Sequence, residues 1–276
     1  MTVDRELTSE ARKEVRRRIQ HALRSDGVAL LPPMDVHDAL WLSREAGFSS
    51  PCVMLDPWYN KGVGGVRDDY DDFIRDLLDH AAGVAEHVYL WGFPEIIARY
   101  VDRLPNELKL TAWLTWYYKN NPSVIRGWRS SQMTCLHLSR EGARLYPEHF
   151  LNEKQLALQS QGKLRYMPGP PSVLEGPTDV IEAPLLVGFV GKKEQTGHKA
   201  QKPQAVYEKL LMMVLAPGDV VIDPMCGSGT CGAAALRLGS TAILSDHDEL
   251  CVEMVEHRLG IKRLSLPVTF TAEAAS

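Results

Sequence analysis

The chain has 276 residues, 45% of them hydrophobic and 24% charged, and a formal net charge of −4. Those values exclude a disordered or collagen-like chain and a generally basic nucleic-acid binder, so any contact with nucleic acid needs a local patch. No apolar run is long enough to span a bilayer, the first residues are too polar for a signal peptide, and Cys52, Cys135, Cys226, Cys231 and Cys251 include no Cys-x-x-Cys pair; they read as reduced thiols of a cytoplasmic protein.

In chain order, "TSEARKEVRRRIQHALRS" (8–25) predicts a helix capped by Thr8 or Ser9, with Val15, Ile19, Ala22 and Leu23 as its apolar stripe. Its other face carries Arg12, Lys13, Arg16, Arg17, Arg18 and Arg24, which reads as a solvated face or as a phosphate-facing arm. The stretch "VMLDPWYNKG" (53–62) ends an apolar run in an acid, a proline and two large aromatics. It is either a strand that closes in a turn or a turn built to grip a flat polar ligand. A loop rich in Gly and Asp follows. "FIRDLLDHAAGV" predicts a helix, "EHVYLWG" a strand, "PEIIARYVDRL" a helix with Pro in its first turn, "LKLTAWLTWYYK" a buried strand and "QMTCLHLSR" its hairpin partner. Residues 140–197 lose this rhythm and read as an irregular insertion. The α/β pattern returns at "QKPQAVYEKLLMMVLAPGD" and ends in "LPVTFTA". Alternating strands and helices predict a mostly parallel sheet covered on both faces. The organisation expected is a helical segment at 1–50, a catalytic half at 51–139, an inserted recognition region at 140–197 and a cofactor-binding half at 198–276.

The most informative segment is "GDVVIDPMCGSGTCGAAALRLG". An apolar strand meets Asp223-Pro224-Met225-Cys226, then the loop Gly227-Ser228-Gly229-Thr230, then an alanine-rich helix start. Glycine lets the backbone turn sharply and a ligand approach closely, and amides at a helix start favour an anionic group. Asp246 ends the next strand, 23 residues beyond Asp223, where an acid can bind ribose hydroxyls. The loop lacks the third glycine of the dinucleotide fingerprint and the lysine of the P-loop.

Asp223 to Thr230 resembles the S-adenosylmethionine-binding motif of amino-methyltransferases, and Asp56-Pro57-Trp58-Tyr59 resembles their catalytic motif. His198-Lys199-Ala200-Gln201-Lys202-Pro203 is similar to the segment preceding the cofactor helix in the β class, whose motif order (catalytic first, cofactor last) this chain shares. Trp58 stands in place of the usual second proline, Cys226 of the usual Phe, and Lys199 of the usual Pro. The resemblance implies a Rossmann-like methyltransferase fold with a seven-stranded, mostly parallel sheet and permuted motif order. It further implies S-adenosyl-L-methionine as cofactor, held by Lys202, Pro203, the residues from Asp223 to Thr230, and Asp246. The substrate class it implies is DNA, with transfer to adenine N6 or cytosine N4.

An exocyclic amine is a poor nucleophile because its lone pair is delocalised into the ring. By resemblance, the Asp56 carboxylate accepts one amine hydrogen and the Pro57 carbonyl the other, while Tyr59 stacks on the extruded base and Trp58 extends that platform. Transfer is direct, so Cys52, which follows Pro51 as in a different methylase class, reads as a buried thiol and not a nucleophile. Arg126, Trp128 and Arg129 in "NNPSVIRGWRSS" read as DNA contacts or as an ordinary polar loop, and Lys199 with Lys192, Lys193 and Lys202 as a second basic cluster facing DNA or as a solvated face. Duplex DNA is the expected partner, a homodimer that shares recognition would fit the short insertion, and no metal is expected. RNA or single-stranded nucleic acid, and a silent cofactor-binding subunit, are the alternative readings.

Overall fold

A computed structural model describes residues 7–61, 65–121, 124–125, 127–163 and 177–268. Helix α1 (Ser9–Ser25) starts where Thr8 Oγ1 accepts the Ala11 amide, and it buries Val15, Ile19 and Ala22 as its apolar spacing demands. Strand β1 (Val28–Leu30) and helix α2 (Val36–Glu45) follow, and then the largely buried β2 (Ser50–Leu55). Next come α3 (Tyr70–Ala82), β3 (Ala85–Gly92), the single turn α4 (Pro94–Ile97) and β4 (Lys109–Tyr117). A small hairpin, β5 (Val124–Ile125) with β6 (Trp128–Arg129), leads into β7 (Gln132–Ser139). Beyond it lie α5 (Glu153–Ser160), β8 (Val180–Glu182), α6 (Gln204–Val214), β9 (Val220–Asp223), α7 (Thr230–Arg237), β10 (Thr241–Leu244) and α8 (Glu249–Leu259).

The main sheet has eight strands in the order β1-β10-β9-β2-β3-β7-β4-β8. All neighbours are parallel except β7, which runs against both β3 and β4. From β2 the chain moves outward to β3, and from β9 it moves outward to β10 on the other side. The two strands are nevertheless paired, with Val53 opposite Ile222. The loops that leave their carboxyl ends therefore diverge and open a crevice, the usual ligand site of a doubly wound sheet.

Alternation along the strands builds two core layers. Val53, Leu55, Val88, Leu90, Ile222 and Ile243 face α1, α2 and α3. Cys52, Met54, Tyr89, Trp91, Val221 and Leu244 face α6, α7 and α8.

Several expectations are corrected. Residues 1–50 are not only helical, because Val28–Leu30 pairs with β10 as an edge strand. The insertion at 140–197 is partly regular: it supplies α5 and the eighth strand, β8. The helix expected over "PEIIARYVDRL" stops after Ile97. Strand β4 does pair with β7, but it is not buried. Only Thr115 to Tyr117 pair with β8, and Leu110 and Trp113 lie outside on the open stretch. Most of the final "LPVTFTA" segment, residues 269–272, lies outside the described residues.

His87 and His137 are buried between β3 and β7. The His137 ring nitrogen lies 3.1 Å from His87, whose other nitrogen lies 3.0 Å from the Arg144 carbonyl. Burial pushes His137 down to about 3, aided by His87, and lowers His87 as well. The unfolded chain thus binds protons that the folded chain does not, so this contribution is complete above the ordinary histidine range and is lost as pH falls through it. The cost reaches at most about 1.4 kcal/mol for each pH unit. The melting temperature of the protein should drop more steeply between pH 6.5 and 4.5 than that of His137→Gln. Equal slopes would remove this pair as the source.

Candidate active site

Three carboxylates gather at the carboxyl ends of three neighbouring strands: Asp56 after β2, Asp223 at the end of β9 and Asp246 after β10. Asp223 is almost completely buried, and its Oδ1 accepts the Met225 amide at 3.2 Å, which fixes the Asp-Pro turn. Burial pushes this carboxyl well above the usual range. The Asp56 and Asp246 charges add to the rise, and the Met225 amide opposes it. Asp223 thus fixes the turn from a buried position.

The glycine loop is held in place by backbone geometry. Gly227 and Gly229 have φ of 48° and 74°, the left-handed region, and a Cβ on Gly229 would sit 2.9 Å from Val255 of α8. Asp246 Oδ2 accepts the Gly227 amide at 2.8 Å, and Oδ1 accepts the Asp248 amide at 3.0 Å. Burial opposes ionisation of Asp246, but His247 and the two amides together hold it below its ordinary value. Asp248 instead caps α8 by accepting the Leu250 amide at 2.9 Å. Helix α7 begins at Thr230 with no side-chain cap, so no capping side chain accepts from its first amides. Cys226 lies buried behind the loop, while Met225 is partly exposed.

Arg258, on α8, was not singled out by sequence reading. Its guanidinium donates to the Ser228 carbonyl and the Thr230 hydroxyl, both at 2.9 Å, and so clamps the loop from behind. The signal available was its spacing: it follows Val255 by three residues on the buried side of α8.

Lys202 links the two halves of the site. It is buried to 2% exposure, its Nζ is ion-paired with Asp56 Oδ2, and it lies 3.1 Å from the Tyr59 hydroxyl. The ammonium also sits over the Trp91 ring, 4.9 Å from its centroid. Tyr207 donates to the same Asp56 oxygen at 3.3 Å, and the Tyr59 hydroxyl lies 3.4 Å from Oδ1. One carboxylate oxygen is thus saturated, and the other keeps free acceptor capacity toward the crevice. Burial raises the Tyr59 and Tyr207 hydroxyls well above their ordinary range, and Asp56 adds to this, so both remain donors. Lys202, expected to hold the cofactor, grips Asp56 with its side chain, and its carbonyl accepts from Thr230 Oγ1 of the loop at 3.4 Å. Pro203 is buried as the residue before α6, and the His198 ring packs on Gly227.

Within the catalytic motif, Pro57 is buried and Tyr59 tilts against Phe93 at 4.7 Å. Trp58 does not extend a platform beside Tyr59. It packs on Tyr70 and Phe73 of α3, each at 5.3 Å, because its ring completes the apolar layer under that helix. Asn60 has φ of 51°, and its amide brackets Arg67, accepting the Arg67 amide at 2.6 Å and donating to its carbonyl at 2.9 Å. This closes the loop that follows the motif. Cys52 is fully buried, and burial beside Asp223 pushes its thiol up, so no thiolate is available.

Of the residues expected to face nucleic acid, Trp128 is 85% exposed, and Arg129 and Lys199 are exposed; Arg126 lies outside the described residues. The α1 arginines are largely engaged within the chain. Arg12 pairs with Glu45, and Arg17 and Arg18 pair with Glu14. Among the described residues, His37, Asp76 and His80 approach within metal-ligand reach of one another. They lie on the α2–α3 surface, where His37 Nε2 lies 3.0 Å from an Asp76 carboxylate oxygen.

Removing one partner of a buried ion pair strands the other charge. Lys202→Met should cost about 3 kcal/mol in urea unfolding, and Lys202→Met combined with Asp56→Asn should cost less than the sum of the two changes. Simple additivity would show that the two side chains are not coupled.

A family model for DNA methylases of the N6/N4 group matches residues 53–257. The Type II methyltransferase M.HpaI of Haemophilus parainfluenzae is 25% identical over 222 residues, which span 75% of this chain and 67% of that protein. Among solved structures, the M1.HpyAVI–SAM complex aligns with a TM-score of 0.63 at 16% identity, covering 85% of this chain and all (100%) of that one. The cytosine-N4-specific PvuII DNA methyltransferase aligns with a TM-score of 0.56 at 13% identity, covering 88% and 90%. These two share the fold, and the family match takes in the Asp56 motif, the Lys202 segment and the glycine loop together: the chain belongs to the N6/N4 DNA methylase family.

Proposed function

We propose that this protein methylates the N6 amine of adenine in duplex DNA by direct transfer from S-adenosylmethionine to an extruded base. The observation that carries the reading is the juxtaposition of Asp56 and the glycine loop at the carboxyl ends of the paired strands β2 and β9, with one Asp56 oxygen held by Lys202 and Tyr207 and the other, 3.4 Å from the Tyr59 hydroxyl, able to accept a further donor.

The residues around the crevice fit the cofactor. The uncapped start of α7 suits a carboxylate, and the Asp246 carboxylate suits ribose hydroxyls. When bound, the cofactor supplies an electrophilic sulfonium methyl. Asp56 Oδ1 accepts a hydrogen from the amine and so turns its lone pair out of conjugation with the ring. Lys202 and Tyr207 keep the carboxylate from swinging away, and Tyr59 offers a ring face to the base. Trp128, Arg129 and Lys199 supply exposed aromatic and cationic groups for the DNA. A cellular setting with reduced thiols, the cytoplasm, agrees with five free and buried cysteines, and no helix among the described residues is long and apolar enough to cross a membrane.

Incubation with isotope-labelled S-adenosylmethionine and mixed-sequence duplex DNA, single-stranded DNA and RNA, followed by nucleoside mass spectrometry, should give N6-methyladenine in DNA. Label in N4-methylcytosine would reassign the base, and label only in RNA would reassign the substrate. Asp56→Ala should keep cofactor binding and lose at least 100-fold in transfer; activity near the unmodified level would refute its role. Asp246→Ala should weaken cofactor binding at least 10-fold. Asp248→Ala, which removes a helix cap, should lower stability by about 1 kcal/mol and leave that affinity alone.

A further inference from the structure

The carboxyl face of the sheet carries a second projecting segment besides the β5–β6 hairpin. Strand β8 runs parallel to β4, so its end at Glu182 opens on the same face as Asp56. From there the chain crosses back to the glycine loop through residues 184–201, without helix or strand. Both feet of this arm are pinned. At the first, Asn120 accepts the Leu185 amide at 2.8 Å and donates to its carbonyl at 2.9 Å. At the second, Gln201 donates to the Glu194 carbonyl at 2.8 Å and accepts from Thr196, and Lys202 follows at once with its grip on Asp56.

The tip is built as carefully as the feet. Gln195 donates to the Gly188 and Val190 carbonyls at 3.1 and 2.7 Å, and Gly188 and Gly191 take left-handed φ of 60° and 63°. The turn they close displays Phe189, which is 92% exposed and is the most exposed large hydrophobic residue among those described. Burying a phenylalanine is favourable, and the isolated chain forgoes that gain at this point. Lys192 and Lys193 follow, exposed and in no recorded ion pair among the described residues. A flat apolar group held out beside two unpaired cations matches a base step between phosphates.

We propose that Phe189 is the wedge that enters the duplex beside the extruded base, and that Lys192 and Lys193 seat on the flanking phosphates. This rests on the DNA methylation reading above. Extrusion leaves a gap in the stack and costs unstacking energy; an inserted ring fills the gap and holds the base out. Because the arm ends one residue before Lys202, a duplex seated on it is fixed relative to Asp56.

The test begins with the unmodified protein, mixed-sequence duplex DNA and sequencing of the methylated position. A duplex of that sequence is then compared with the same duplex carrying an abasic site opposite the target base. Phe189→Ala should bind cofactor normally, lose at least 10-fold in methylation of the matched duplex, and recover most of that loss on the abasic duplex. Lys192→Ala/Lys193→Ala should weaken DNA binding and flatten the slope of log affinity against log salt by about 2. If Phe189→Ala methylates the matched duplex normally, loses activity equally on both duplexes, or instead dissolves a homodimer in size-exclusion chromatography, the wedge is overturned while the methylation reading stands. An unchanged salt slope in the lysine variant overturns the phosphate seats. If the unmodified protein labels no DNA at all, the methylation reading itself fails.

Discussion

The pairing of Lys202 with Asp56 is the interaction on which the site depends. A carboxylate that must orient a weak nucleophile has to be ionised, directed and immobile, and water in an open cleft provides none of these reliably. Here the ammonium is almost fully enclosed, lies against the Trp91 ring and shares the acid with Tyr207 and Tyr59. The arrangement is costly to desolvate and is tolerable because every donor finds the same acceptor. It also ties the segment before α6 to the end of β2, so that one residue meets the acid with its side chain and the glycine loop with its carbonyl.

That side chain can reach because of the sheet. The direction of winding reverses between β2 and β9, and the two strands still share hydrogen bonds across the reversal. Asp56 and Asp223 leave adjacent strands with their loops turning opposite ways, and the crevice between them is the place where Lys202 descends. The two core layers fix the strand faces firmly. A slip of one residue in β2 would exchange Val53 and Leu55 for Cys52 and Met54 and turn the acid away from the crevice.

Much of this was legible in the residues. The glycine loop, Asp246 and the Asp56 motif are compact in sequence, because each is a strand end followed by its own turn, and local chemistry dictates both. The pairing of the β4 and β7 segments was equally readable. The misses are non-local or short. Val28–Leu30 and Val180–Glu182 are three-residue strands that no periodicity can reveal. Lys202 stood out by the resemblance of its segment, but its ion-pair partner, 146 residues earlier, is set only by the fold. Trp58 was read as part of a stacking surface from its neighbour in sequence, whereas α3 supplies a closer aromatic niche in Tyr70 and Phe73. Arg258 carries no motif, and only the fold brings it behind Ser228.

The separation between Asp56 and its partner has a consequence for biosynthesis. At about 5–20 residues per second, a ribosome needs roughly 7–30 s to extend the chain from the acid to the lysine. During that interval β2 has β3 on one side, while the edge that will receive β9 is bare, since Ser50 meets its Val220 acceptor only 170 residues later. The nascent chain therefore emerges with an apolar strand edge open at the centre of its future sheet, and the cofactor half is what closes it. Catalytic competence and protection from aggregation arrive in the same event, late in translation.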